Sequence, residues 1–243
     1  MQLRRVFADK IEGNIVKLNR DESHYVTKVL RLKECAKLEV ILPQGVVNGE
    51  IVKIDKGIVF VEVEGKPEIK NEPETKIALF QAMPEKLEKL ELIVQKATEL
   101  GVSEIYTFHS RYTNPKYRKM NLDKKFERLE KIAREAVRQC KRTFPPEIFK
   151  PVKLPQAIEK AKSFDNRFIF GEKGGTVKKD VKNGSFAFFI GAEGGFSEEE
   201  FDLFIQEGFY FINLSGRILR TETAAITGLV IIQTLFGDYS KFI

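Results

Sequence analysis

The run Phe188-Phe189-Ile190-Gly191-Ala192-Glu193-Gly194-Gly195-Phe196-Ser197-Glu198-Glu199-Glu200 constrains this chain more than any other. Apolar residues end a buried strand, and the glycines make a turn in which backbone can approach a ligand without interference from Cβ atoms. Ser197, with Glu200 three positions on, forms a capping box that starts a helix. A second join of the same kind follows. The apolar stretch Phe209 to Leu214 leads through Ser215-Gly216-Arg217-Ile218-Leu219-Arg220 into a helix that starts near Thr221. Two strand-to-helix turns predict one shared pocket at the strand ends.

Around these turns the pattern is one of strands alternating with helices, which predicts an α/β domain with a largely parallel sheet. The strands are Ile77 to Ala82, Ser103 to Phe108, Arg167 to Phe170 and Phe186 to Ile190. Leu87, Leu90, Ile93, Val94, Ala97 and Leu100 recur at helical spacing, and Gly101 closes that helix. A basic helix is expected from about Asn121 to Gln139, and a final helix, apolar almost all round, from Thr221 to Phe236. Gly171-Glu172-Lys173-Gly174-Gly175 has the spacing of Gly191 to Gly195 and reads as a second tight turn at the same sheet edge. Before residue 70 the runs Lys37 to Leu42, Val46 to Ile54 and Gly57 to Val63 predict a small β-barrel, with one helix from near Asp21 to Arg31. The charged, proline-bearing stretch Lys66 to Pro73 is the expected linker. Residues 1–70 and 74–243 are then the two domains.

The chain of 243 residues, 42% hydrophobic, can bury an ordinary core. It has no apolar run of about 18 residues and no apolar region near Met1, so a soluble, cytoplasmic protein is expected. Cys35 and Cys140 are isolated, which argues against a disulfide framework or a zinc site. Net charge is +6, and between Arg111 and Lys153 fourteen Lys and Arg stand against five Asp and Glu. Clustering of that size favours a polyanionic partner over a merely solvated face.

Neither a Gly-x-Gly-x-x-Gly fingerprint after an early strand nor a Walker loop is present. With His24 and His109 the only histidines, a Ser-His-Asp hydrolase built on Ser197 or Ser215 gets little support. Together, Gly191-Ala192-Glu193-Gly194-Gly195-Phe196-Ser197 and Leu214 to Ala224 resemble the signature of the bacterial 16S ribosomal RNA uracil-N3 methyltransferases, of the SPOUT class of knotted methyltransferases. The resemblance extends through Gln95 to Val102, Gln139 to Arg142, Arg4 to Phe7 and His24 to Arg31. Ala192 stands where that family usually has proline.

The resemblance implies a PUA-like RNA-binding barrel followed by a SPOUT domain with a trefoil knot, acting as a homodimer on 16S rRNA. The implied cofactor is S-adenosyl-L-methionine, lined by Gly171, Gly191, Glu193, Gly194, Leu214, Gly216 and Leu219. Uridine N3 must lose a proton before it can attack a methyl group. Arg220 is therefore the candidate for stabilising the uracil anion, with Glu222 orienting Arg220 or taking part in proton removal. Thr221 and Thr223 fit helix caps as well as they fit catalysts. Arg4, Arg5, Arg31, Lys124, Arg128, Arg138 and Arg142 are the candidate phosphate contacts. A knotted methyltransferase of another RNA position, and a non-catalytic RNA-binding assembly factor, stay open as alternatives.

Overall fold

The computed structural model describes residues 3–175, 181, 184–213 and 216–242. Their contacts divide the chain into two compact units, residues 1–72 with 137–144 and residues 73–136 with 145–243. The stretch 137–144 thus counts with a unit far away in sequence, which a boundary read from the linker does not express.

In the first unit the elements are β1 (Arg4–Phe7), β2 (Ile15–Lys17), α1 (Arg20–His24), β3 (Lys37–Leu42), β4 (Gly45–Asp55) and β5 (Ile58–Glu68). They form one five-stranded sheet in the order β1-β3-β4-β5-β2, with β1 parallel to β3 and the other pairs antiparallel. Strict alternation puts Leu38, Val40 and Leu42 of β3 with Val59, Val61 and Val63 of β5 in one core. The expected helix to Arg31 is found as two joined pieces, helical from Arg20 to Val29. Asn19 caps α1, a π-helical turn Tyr25–Val29 continues it, and the chain leaves at Arg31 with φ +55°.

Buried charge ties this unit together. Glu22, 5% exposed, accepts the Phe7 N–H at 3.0 Å and pairs with Arg138, whose guanidinium lies over the rings of Phe7 and Tyr25. Arg5 donates to Glu39 at 2.8 Å and to the Arg142 carbonyl at 2.6 Å, while Arg142 pairs with Glu72 at 3.0 Å. The other oxygen of Glu72 accepts the N–H groups of Thr143 and Phe144.

The second unit is built from β6 (Ile77–Ala82), α2 (Leu87–Glu99), β7 (Glu104–His109), α3 (Asp123–Cys140, its last turn counted above), β8 (Glu147–Lys153), α4 (Leu154–Ala161), β9 (Asn166–Gly175), β10 (Phe186–Ile190), α5 (Glu198–Gln206), β11 (Tyr210–Ile212) and α6 (Thr221–Phe236). Its sheet, β11-β9-β10-β6-β7-β8, is parallel throughout. Side chains leave each strand to both faces. Ile77, Leu79, Phe186, Phe188 and Ile190 meet α2, α3 and α6 on one side. Ala78, Phe80, Ala82, Ala187 and Phe189 meet α4 and α5 on the other. That double burial is why β10 reads as an unbroken apolar run and β6 as one interrupted only by Gln81. On the α4/α5 face, Phe189, Phe80, Tyr106 and Phe149 stack in succession at 4.3–4.5 Å across four neighbouring strands, each ring paired in register with the next.

Gly171 to Gly175, expected as a tight turn, lies inside β9. The strand continues because Gly175 pairs with Ile212 of β11 across a register shift. After β8 the chain crosses to β9, and β10 then inserts between β9 and β6. Here α2 follows β6 on one face and α5 follows β10 on the other, which makes a topological switch point at their carboxyl ends.

The Glu22–Arg138 pair yields a stability prediction. Glu22→Gln removes one charge from a buried pair and is expected to cost about 3–5 kcal/mol, read as a lower melting temperature. A melting curve superimposable on the wild type would show that the pair contributes nothing net.

Candidate active site

At the switch point a cavity of about 890 Å³, open mouth included, is walled by the ends of β9 and β10 and the segment before α6. The residues after β10 turn sharply. Gly195 N–H donates to Ala192 O at 2.9 Å, and Gly195 has φ +67°, a conformation that favours glycine. A Cβ at Gly191 would lie 2.9 Å from the backbone of Gly195, so this turn closes only over a bare Cα. At Gly194 a Cβ would meet the Tyr112 ring at 2.9 Å, so bulk there presses on Tyr112 and not simply into the cavity. At Gly195 a Cβ would meet no protein atom within 4 Å, leaving bare backbone for a ligand.

What holds the two walls in register is a buried polar junction. Gln81, fully buried at the end of β6, donates through Nε2 to Thr221 Oγ1 at 2.9 Å and to Ala82 O at 2.9 Å. Thr221, 4% exposed, donates in turn to Gly191 O at 2.6 Å. One side chain from β6 and one from the first turn of α6 thereby fix the glycine turn. Glu193 ties the turn to the loop after β6 and to α2, accepting hydrogen bonds from the Glu85 N–H at 2.9 Å and from Lys89 Nζ at 2.6 Å. Burial alone would raise the Glu193 carboxyl, but the hydrogen bonds from Lys89 and Glu85 outweigh it and hold its pKa below the usual glutamate range.

Gly171, Gly191, Glu193, Gly194 and Leu219 all line the cavity. Gly216 is exposed and is not among the lining residues, and Leu214 lies outside the described residues. Arg220 is exposed in extended conformation as the N-cap of α6, between the lining residues Leu219 and Thr221. Glu222 does not line the cavity, yet its Oε2 is buried with no hydrogen-bond partner among the described residues.

The seven phosphate candidates divide. Arg5, Arg138 and Arg142 are built into the first unit by the pairs described above and are not displayed on it. Arg4, Arg31 and Lys124 are exposed. Arg128 is exposed and paired with Glu91 at 2.7 Å. The sequence did not point to Gln81, Asn213, Arg217 or Tyr112, although a lone amide in the otherwise apolar Ile77–Ala82 is a visible signal for Gln81.

A parallel sheet with a glycine-walled crevice at its switch point defines an α/β protein that binds a small ligand there. The profile described as RNA methyltransferase domain matches residues 70–233, and that of RNA methyltransferase PUA domain matches residues 18–64. Two curated relatives, both called ribosomal RNA small subunit methyltransferase E, come from Buchnera aphidicola. The one from subspecies Acyrthosiphon pisum is 34% identical, over 91% of this chain and 88% of its own. The one from subspecies Schizaphis graminum is 31% identical, over 94% of each. A methyltransferase of Legionella pneumophila, solved with SAM bound, superimposes with a TM-score of 0.90 at 31% identity, over 98% of this chain and 100% of that one. The chain belongs to the ribosomal RNA small subunit methyltransferase E family.

The depressed pKa of Glu193 sets a pH window. Its stabilising contribution is fully present above the ordinary glutamate pKa and is lost as pH falls through the lower folded value. Lys89→Met removes the partner at every pH. The melting temperature of wild type should therefore exceed that of Lys89→Met at pH 7, and the gap should narrow as pH falls below the glutamate range. A gap independent of pH would dissociate Lys89 from Glu193.

Proposed function

We propose that the protein transfers the methyl group of S-adenosylmethionine to N3 of a uridine in 16S ribosomal RNA of the small subunit. We further propose that it works in the cytoplasm as a homodimer, with its C-terminal segment threaded as a trefoil knot. The observation that carries this reading is the cavity between the Gly191–Gly195 turn and the start of α6, with Arg220 at its edge. The bound cofactor of the Legionella relative and the names of the Buchnera relatives support it.

The residues present fit such a cofactor. Bare backbone at Gly191, Gly194 and Gly195 offers polar groups without side-chain bulk, Phe170, Ile190 and Leu219 add apolar wall, and Glu193 lines the cavity while held by Lys89. Gly171 would complete the wall, with Gly216 and Leu214 as further contacts. When bound, S-adenosylmethionine supplies a methyl group on a positively charged sulfur.

The chain's own residues must then prepare the acceptor. N3 lies on the pairing edge of uracil, so the base has to leave its pair before it can react. Arg220, exposed and one residue from the anchored Thr221, stabilises the charge that spreads over uracil as the N3 proton departs. Glu222, with one buried carboxylate oxygen that no described donor reaches, receives that proton or orients Arg220. Arg4, Arg31, Lys124 and Arg128 are the exposed candidates for holding the RNA backbone.

Gly191→Ala forces the Gly195 backbone to shift, so affinity for S-adenosylmethionine should fall by at least about tenfold, or ~1.4 kcal/mol. Calorimetric titration checks this, and unchanged affinity would detach the turn from cofactor binding. Arg220→Ala should lower single-turnover methyl transfer by on the order of a hundred- to a thousand-fold with cofactor and RNA binding retained. Raising pH should partly rescue it by deprotonating the acceptor, and Arg220→Lys should recover part of the rate. Near-normal turnover in Arg220→Ala would exclude the catalytic role.

A further inference from the structure

A second cavity opens on the same edge of the second unit's sheet, about 1270 Å³ with its mouth included. Its base is formed where β7 and β8 end, at the paired residues His109 and Lys153. Arg111 and Arg118 reach it from the segment after β7, and Leu203 from α5.

The turn after β7 is held firmly. Ser110 N–H donates to Thr113 Oγ1 at 3.0 Å, Thr113 N–H to Ser110 O at 3.2 Å, and Arg111 N–H to Glu200 Oε1 at 2.7 Å. Ser110 and Thr113 are buried, while the side chains between them are not. Arg111 faces the second cavity. Tyr112, 54% exposed, stands against Gly194 of the first. One rigid turn therefore presents a cation to one cavity and an aromatic ring to the rim of the other.

The charge balance of the second cavity favours an anion. Arg111, Arg118 and Lys153 face two carboxylates, Glu199 and Glu200. Glu200 is already engaged, its two oxygens accepting the backbone N–H groups of Arg111 and Ser197. Among the described residues neither Arg111 nor Lys153 forms a salt bridge, and Arg118 donates to a carbonyl, Ser110 O, at 3.2 Å. Leu154, Pro155 and Leu203 also line the cavity, Leu154 buried and Pro155 and Leu203 exposed. Cations beside exposed apolar side chains match a nucleotide, phosphate on the cations and base on Pro155 and Leu203.

We propose that this cavity takes the nucleotide adjoining the methylated uridine, its phosphate held by Arg111, Arg118 and Lys153. The proposal rests on RNA methyl transfer at the neighbouring cavity. It extends the RNA path beyond α3 to residues that lie far apart in sequence.

The test is the double variant Arg111→Gln/Lys153→Gln, chosen because neither side chain forms a salt bridge among the described residues, with folding checked by melting. Binding of unmodified 16S ribosomal RNA is titrated against salt, and methyl transfer is measured beside it. The expected result is a logarithmic salt slope reduced by about 0.7 per lost contact, about 1.4 in all. KM for RNA should rise, with affinity for S-adenosylmethionine unchanged. A wild-type slope and KM in the variant, while the wild-type protein transfers methyl, would overturn the subsite and leave the function standing. A reduced slope in the variant of a protein that transfers no methyl to RNA would overturn the function and leave the subsite.

Discussion

The hydrogen bond from Thr221 to the carbonyl of Gly191, backed by Gln81, is the constraint on which the candidate site depends. All three groups are withdrawn from water, where an unmet polar atom costs about 1–3 kcal/mol, so the arrangement has little freedom to drift. Three elements meet there: the end of β6, the turn after β10 and the first turn of α6. The site residues on either side, Glu193 in the turn and Arg220 before the helix, inherit their positions from this junction. Neither is anchored so deeply itself. Glu193 is tied at the protein surface to Lys89, and Arg220 makes no side-chain cap to its own helix.

The junction holds because the strands beneath it cannot slip. Phe189, Phe80, Tyr106 and Phe149 stack one upon another across four strands, and a one-residue change of register would break two stacks in β6 or β7 and one in β10 or β8, and turn an apolar ring to the opposite face. Phenylalanine, twenty in the whole chain against no tryptophan, supplies most of this core's large side chains and leaves no polar atom to satisfy. Polarity is then concentrated at the strand ends, where Gln81, Glu193 and Glu200 each connect one loop to another.

Much of this was legible in the sequence, because the signals were local. Ile77–Ala82, Phe186–Ile190 and Thr221–Phe236 carry continuous or near-continuous apolar runs, and their observed bounds match the expected ones. The capping box at Ser197 is a four-residue pattern and is found as such. What escaped was settled by distant partners. Gly171 to Gly175 has the composition of a turn but is drawn into a strand by β11. Arg5, Arg138 and Arg142 look like surface cations, and nothing near them in sequence announces that Glu39, Glu22 and Glu72 will claim them. The cluster of Arg111, Arg118 and Lys153 is invisible in the same way, because β7 and β8 bring it together only when they pair.

The place of β10 in the sheet bears on how the protein is made. β6 and β7 are close in sequence and can pair early, but the other side of β6 waits for β10, since Ile77 pairs with Phe186. During synthesis, then, the first half of this sheet carries a strand that is apolar but for Gln81 and has an unpaired edge, a template for association with other chains. Closing that gap requires a distant segment to enter between two strands, a slow, non-local step. The central strand that makes the finished sheet secure on both faces is the one whose late arrival leaves the nascent chain most exposed, and a substitution that delays it costs yield before it costs stability.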